Sequence, residues 1–298
     1  MKILILHQPF PMGNYKLNPY IGKHLKSQGH EVYLVQQLNG APLHEEFVNQ
    51  IQNQNFDLIY YEMLDQNSFE LVSRIKGANK VLLYASKGIF KDFEDIINYK
   101  DKYYNNIITN SKFMANKFSE NNINNRYFSY YPAPITENEI VNNPNYKHDC
   151  VYLGGGYQRL SKEEYKIEQE IIYSNPEVQI YGAGWPQQSN YRGVLPPEDI
   201  ASLYSNSKSS IGTIEPSQRT MGMINNRYSE MFKTGNKIIS IKYPEIDFDG
   251  GEEFITFVSN KNELSKAIFD IDPKVKQKQK EFILDKESEF FNTLNSII

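Results

Sequence analysis

The chain has 298 residues, a formal net charge of −4, 40% hydrophobic residues and 13% aromatic residues. This composition excludes a disordered chain, the lack of any run of about 18 apolar residues excludes a spanning helix, and the acidic balance gives no overall footprint for a nucleic-acid backbone. The length predicts two domains of about 150 residues each, and the single cysteine, Cys150, can form neither an internal disulfide nor a cysteine metal cluster, which fits a reducing compartment.

The opening MKILILHQPF reads as a first strand and not as a signal peptide, so a cytoplasmic protein is expected. Short apolar runs follow at residues 2–7, 31–36, 56–61, 80–85, 106–109 and 126–131, separated by helical patterns at 18–28, 45–54, 69–76 and 111–119, the last with Ser111 as N-cap. Runs such as 81–84, apolar at successive positions, suit strands covered on both faces of a parallel sheet. Prolines and asparagines break regular structure over 131–148, where the domain boundary is expected. The rhythm then resumes with strands at 151–154, 178–182, 209–214, 237–241 and 254–258. Ser161 with Glu164 and Asn260 with Glu263 have capping-box spacing, and Pro197 followed by Glu198 and Asp199 makes a favourable first turn. The expectation is α/β with two Rossmann-like doubly wound domains facing a cleft, over 1–140 and 149–273, and a charged helix over 274–298 that caps or crosses back to the first domain.

Ligands of such sheets bind beyond the carboxyl ends of the strands. Two stretches there carry chemistry. Val151 to Arg159 (VYLGGGYQR) is a strand entering a glycine turn that lets backbone amides approach an anion. Asn225 to Gly235 (NNRYSEMFKTG) puts Arg227 and Glu230 on one face of a helix start, a charge-assisted fork for phosphate beside a carboxylate for sugar hydroxyls. Together they predict a nucleotide-linked ligand. Each also has a plainer reading: Gly154 to Gly156 as a tight turn lacking the full dinucleotide fingerprint, and Arg227 with Glu230 as a solvated pair contributing a few tenths of a kcal/mol. Asp247 and Asp249 read as a metal-holding acidic pair or, better, as a polar turn before Gly250. The five histidines show no metal spacing, His7 reads as structural or facing the cleft, and Trp185 is poised between stacking on a ligand and ordinary packing.

The order VYLGGGYQR, QIYGAG, YRGVLPPEDIASLY, NNRYSEMFKTGNKIIS and EEFITFVSNKNEL resembles the nucleotide-binding half of GT-B glycosyltransferases, with CgeB-like glycosyltransferases and phage DNA β-glucosyltransferases the nearest likenesses. The resemblance covers most of residues 150–270 and makes 149–273 the donor domain and 1–140 the acceptor domain. It implies that Gly155, Gln158 and Arg159 lie against the donor diphosphate, with Arg159 or Lys162 replacing the arginine the phage enzymes have at Gln158. It further implies that Gly193, Val194 and Leu195 read the nucleobase, that Arg227 holds diphosphate and Glu230 the ribose, and that the loop around Gly13 (Met12 to Asn14) closes over the transferred sugar. In two places the pattern departs from the family. The position of the phage catalytic aspartate falls on Ser86 or Lys87, and Glu230 has Gly222 where many retaining enzymes carry a second glutamate, so the anomeric outcome stays open.

The implied activity is a hexosyl- or pentosyltransferase moving a sugar from a nucleoside diphosphate, UDP by preference, to an acceptor hydroxyl without a bound metal or other cofactor. Glu62 and Asp92 are the candidate bases. The acceptor is a glycan, a protein, a small molecule or DNA bearing a hydroxymethylated base. The alternatives are a nucleotide-sugar epimerase of the same architecture and a non-catalytic nucleotide-sugar binding protein.

Overall fold

The structure is a computed structural model that describes residues 1–7, 16–36, 44–62, 66–84, 93–99, 102–157, 159–270 and 275–297. The chain divides into two compact units, Met1–Ser129 with Leu294–Ile298, and Tyr130–Thr293.

The first unit contains a six-stranded sheet of β1 (Lys2–His7), β2 (Glu31–Gln36), β3 (Leu58–Glu62), β4 (Asn79–Tyr84), β5 (Asn106–Thr109) and β6 (Asn125–Tyr127), in the order β2-β1-β3-β4-β5-β6. Every pairing is parallel. Central strands read as continuous apolar runs because helices cover both faces: Ile3 to Leu6, Leu58 to Tyr61 and Val81 to Tyr84 are buried. The edge strand β2, by contrast, exposes Glu31, Tyr33, Leu34 and Gln36. The Ser111 hydroxyl accepts from the Met114 amide at 3.0 Å, capping the helix Lys112–Glu120. The last strand is shorter than its apolar pattern predicts. The apolar run continues past Tyr127, but Tyr130 belongs to the second unit, where its hydroxyl donates to the Phe248 carbonyl at 2.7 Å and its ring meets Phe232 edge-on.

The second unit contains five parallel strands, β7 (Cys150–Leu153), β8 (Val178–Tyr181), β9 (Ser209–Gly212), β10 (Lys237–Ile241) and β11 (Ile255–Val258), ordered β11-β10-β9-β7-β8. Order reverses between β7 and β9, so the switch point of this sheet lies where those two strands end. Burial within β7 raises the Cys150 thiol to about 12, leaving it neutral and inert.

Three local expectations take a different form. Residues 131–148 hold two single-turn 3₁₀ helices, Glu137–Glu139 and Pro144–Tyr146. The segment is fastened to the helix Ile200–Asn206 by Asn206, which donates to the Val141 carbonyl at 2.7 Å and accepts from the Asn143 amide at 3.1 Å. The helical run after the glycine turn starts at Glu163, one residue later than a Ser161 cap requires, with Lys162 as an N-cap whose side chain makes no capping bond, and passes through Lys166–Glu168 into a π-helical turn at Gln169–Tyr173. The Asn260 box closes one residue early: Asn260 accepts from the Glu263 amide at 3.0 Å as a cap should, but Glu263 reaches back to the Ser259 amide at 2.7 Å and not to that of Asn260. The C-terminal helix spans Val275–Ile297.

Candidate functional site

β7 leaves the sheet at the switch point and enters Gly154, Gly155 and Gly156. The glycines are there because backbone lies on backbone. A Cβ on Gly156 would come within 2.6 Å of the Gly184 carbonyl, and Gly182, held at φ +130°, lies directly against Gly154. Amides of Gly154 and Gly156 donate to the carbonyls of Tyr181 and Ala183 at 2.9 and 2.8 Å, fixing the turn onto the loop after β8. Gly155 differs from its neighbours: it is exposed, and no hydrogen bond among the described residues involves its N–H. That amide is free to bind an anion at the switch point.

Trp185 resolves to packing. It is buried, its Nε1 donates to the Gly154 carbonyl at 2.7 Å, and its ring meets Tyr152 and Tyr173 edge-on at 5.9 and 4.8 Å. The exposed aromatic of this loop is Tyr157, which sequence reasoning left without a role.

Arg159 is drawn inward, its side chain only 10% exposed. Its guanidinium pairs with Glu215, contacts the Tyr173 hydroxyl at 3.4 Å and lies 5.1 Å from the centroid of the Tyr165 ring. The other Glu215 oxygen accepts from the Tyr165 hydroxyl. The relay continues through Tyr173 to the Tyr152 hydroxyl at 3.3 Å and on to Thr213 at 3.4 Å. A Cβ on Gly154 would stand 2.5 Å from that same Tyr152 oxygen, so the relay underlies the glycine turn. Glu215, 56 residues from Arg159, was invisible to local pattern.

The other half of the candidate site rides on the helix Arg227–Thr234, which precedes β10 and therefore starts at the carboxyl end of the sheet. Its seat is specific. The Tyr228 ring occupies the space a Cβ would take at Gly212, its hydroxyl bonds Ser240 at 2.7 Å, and the helix closes on Gly235 at φ +66°. The Arg227 amide donates to the Asn225 side chain at 3.0 Å. Burial disfavours the Arg227 charge, yet Tyr204, which accepts a hydrogen bond from it, and Glu230 raise its pKa, so it stays a cation. Burial pushes Tyr204 up to about 12 against the opposing pull of Arg227. The structure thus brings Arg227, Glu230 and Tyr204 together, and Tyr152 lies within electrostatic range of Arg227.

The turn Gly193 to Leu195 adjoins the same strand end as the glycine loop. Gly193 has φ +91° and its carbonyl accepts from the Gly182 amide at 2.9 Å, Leu195 is buried in the core of this unit, and Val194 between them is 61% exposed.

Asp247 and Asp249 form the polar turn: the Asp249 amide donates to Asp247 at 2.9 Å, and the Asp249 carboxylate pairs with Lys286 at 2.6 Å. No group of three or more His, Cys, Asp or Glu among the described residues is arranged to hold a metal. Gly222, at φ +62°, occupies a conformation that a glutamate would adopt only with strain. In the first unit, Glu62 ends β3 next to the β1–β3 switch point and is 2% exposed. His7 ends β1 and is half-buried. Gly13, Gln158 and Asp92, with Ser86 and Lys87, lie outside the described residues.

No protein-family model matches the chain, and no curated protein matches it by sequence. Solved structures do. A mutant of the T4 phage β-glucosyltransferase in complex with UDP-glucose is similar with a TM-score of 0.63 at 14% identity, over 100% of this chain and 99% of that one. AviGT4, a glycosyltransferase of avilamycin A biosynthesis, gives 0.54 at 11% identity, covering 99% and 98%. A putative UDP-N-acetylglucosamine 2-epimerase from Listeria monocytogenes gives 0.56 at 10%, covering 94% and 90%. Two parallel Rossmann-like sheets and these likenesses make the fold GT-B.

Proposed function

We propose that the chain is a glycosyltransferase that moves a sugar from a nucleoside diphosphate, with UDP as the nucleotide, to an acceptor hydroxyl. The observation that carries the reading is the pairing of an exposed, uncommitted Gly155 amide at the end of β7 with the Arg227–Glu230 face at the start of the helix before β10, both at the carboxyl edge of one sheet. An amide and a guanidinium suit a diphosphate, whose leaving-group charge they would neutralise during transfer. Glu230 would accept from the ribose hydroxyls. The backbone from Gly193 to Leu195 would read the base, with Leu195 anchored in the core. Gly13 and Gln158 are proposed to complete the donor site. Arg159 enters this reading as a second phosphate ligand only by exchanging Glu215 for the donor.

For inversion, a carboxylate must take the acceptor proton as the new bond forms. Glu62 and Asp92 remain the candidates. No divalent ion is assigned a part: the Arg227 cation and the Gly155 N–H dipole would together offset the leaving-group charge. The fold also occurs in an epimerase, which would consume the donor with no acceptor.

Thermal unfolding of the chain against UDP, GDP, ADP, CMP and NAD tests the reading, since a ligand at 100 times its Kd adds about 2.7 kcal/mol of stability. Selective stabilisation by UDP supports it, and no shift with any of them removes it. Product analysis with UDP-sugars then separates a glycosylated acceptor from a new free nucleotide sugar and from binding without turnover.

A further inference from the structure

Tyr157 is 75% exposed, yet its ring is not adrift. Its face lies on the bare Cα of Gly184, where a Cβ would come within 2.7 Å of the ring carbons Cγ and Cδ1, and Gly184 holds φ +80°. On the other side of the turn, a Cβ on Gly155 would stand 3.9 Å from Tyr157 Cδ2. One ring face is therefore supported by glycine backbone while much of the side chain stands in solvent, next to the uncommitted Gly155 amide. Leaving so much aromatic surface in water forgoes the usual gain of burial. A side chain already held in place loses little freedom when a ligand ring lies on it.

We infer that Tyr157 is the platform on which the nucleobase of the donor stacks. The inference rests on the nucleotide reading above and names the residue that would give base affinity. Position selects the base over the transferred sugar. Gly184 follows Gly182, whose amide donates to the Gly193 carbonyl at 2.9 Å, so the platform and the turn assigned to the base edge share the β8 side of the glycine loop. Arg227 and Glu230 lie on the other side, toward β10. Trp185 cannot serve instead, being buried with its N–H committed to Gly154.

The test is calorimetric binding of UDP, UMP, UDP-glucose and inorganic pyrophosphate to the full chain and to Tyr157→Ala and Tyr157→Phe, with unfolding curves to confirm that both variants are folded. Tyr157→Ala should weaken UDP, UMP and UDP-glucose by the same factor, about 10-fold, as loss of one base–aromatic stack does. Pyrophosphate binding should not change, and Tyr157→Phe should keep the native affinities. Unchanged UDP affinity in Tyr157→Ala overturns the assignment, as does a loss confined to UDP-glucose, which would put the sugar on the ring. Failure of the nucleotide reading itself is seen separately, as the unmodified chain binding none of the uridine nucleotides.

Discussion

The Glu215 carboxylate holds the Arg159 guanidinium with one oxygen and accepts from the Tyr165 hydroxyl with the other, while the guanidinium lies over the Tyr165 ring. The arginine that the family resemblance assigns to a phosphate is thereby neutralised from within its own unit. Glu215 also opens the short helix Pro216–Arg219, where its side chain takes part in a capping box with Gln218. One carboxylate thus joins the glycine turn to the loop after β9, on either side of the switch point. Glu215→Ala would leave a nearly buried cation without its partner. Complete burial would put the cost at about 3–5 kcal/mol, and the partial exposure of Glu215 lowers it to about 2 kcal/mol. Urea denaturation reads this directly. UDP titration of Glu215→Gln adds the functional half: tighter binding identifies Arg159 as a ligand released from competition, and unchanged affinity makes it structural only.

Arg227→Ala should weaken UDP binding by about 2 kcal/mol, roughly 30-fold, the scale of a charge-assisted hydrogen bond lost at a partly desolvated site. Arg227→Lys should recover part of this, because the charge persists without the fork. Isothermal titration of each variant, with far-UV circular dichroism as the control for folding, decides the point; native affinity in a folded Arg227→Ala would remove this residue from the site.

What the sequence discloses here is what local chemistry determines. Strand rhythm, the glycine turn after β7 and the caps at Ser111 and Asn260 each depend on a few adjacent residues, and all appear in the structure. The partner of Arg159 lies 56 positions away and emerges only when β7 and β9 pair in register, Cys150 beside Ser209. Likewise the contrast between Trp185, buried, and Tyr157, exposed, depends on which ring the Gly184 backbone supports, and both stand beside glycines in the sequence. Glu168 could not be anticipated either. It is fully buried within the helical run, accepting from Tyr243 at 2.9 Å and reached by Arg219 at 4.0 Å, because two later segments close over it.

The two glycines beside the base-edge turn should respond differently to alanine. Gly182→Ala places a methyl group against the Gly154 backbone at a φ that alanine resists, so the loss should reach about 3 kcal/mol and weaken nucleotide binding by displacing the Gly155 amide. At Gly193 nothing lies within 4 Å of the added carbon, and only the positive φ opposes the change, costing about 1–2 kcal/mol. Equal destabilisation in denaturant melts would show that conformational preference, not close backbone packing, governs both positions.

His148 supplies an acid-sensitive component of stability. Burial first, and then the nearby Arg192 charge, lower its pKa below the ordinary 6.5, while Asp149 pulls weakly the other way, and its Nε2 shares a hydrogen bond with the Tyr181 hydroxyl at 2.8 Å. Since the folded value is the depressed one, the unfolded chain takes up the proton first as pH falls. The stabilising contribution is therefore complete above 6.5 and is lost as pH drops from there through the folded value. Melting temperatures measured from about pH 8 to about pH 5 should fall less steeply in His148→Gln than in the native chain. Parallel profiles would place the acid sensitivity on other groups and leave the His148–Tyr181 contact as packing alone.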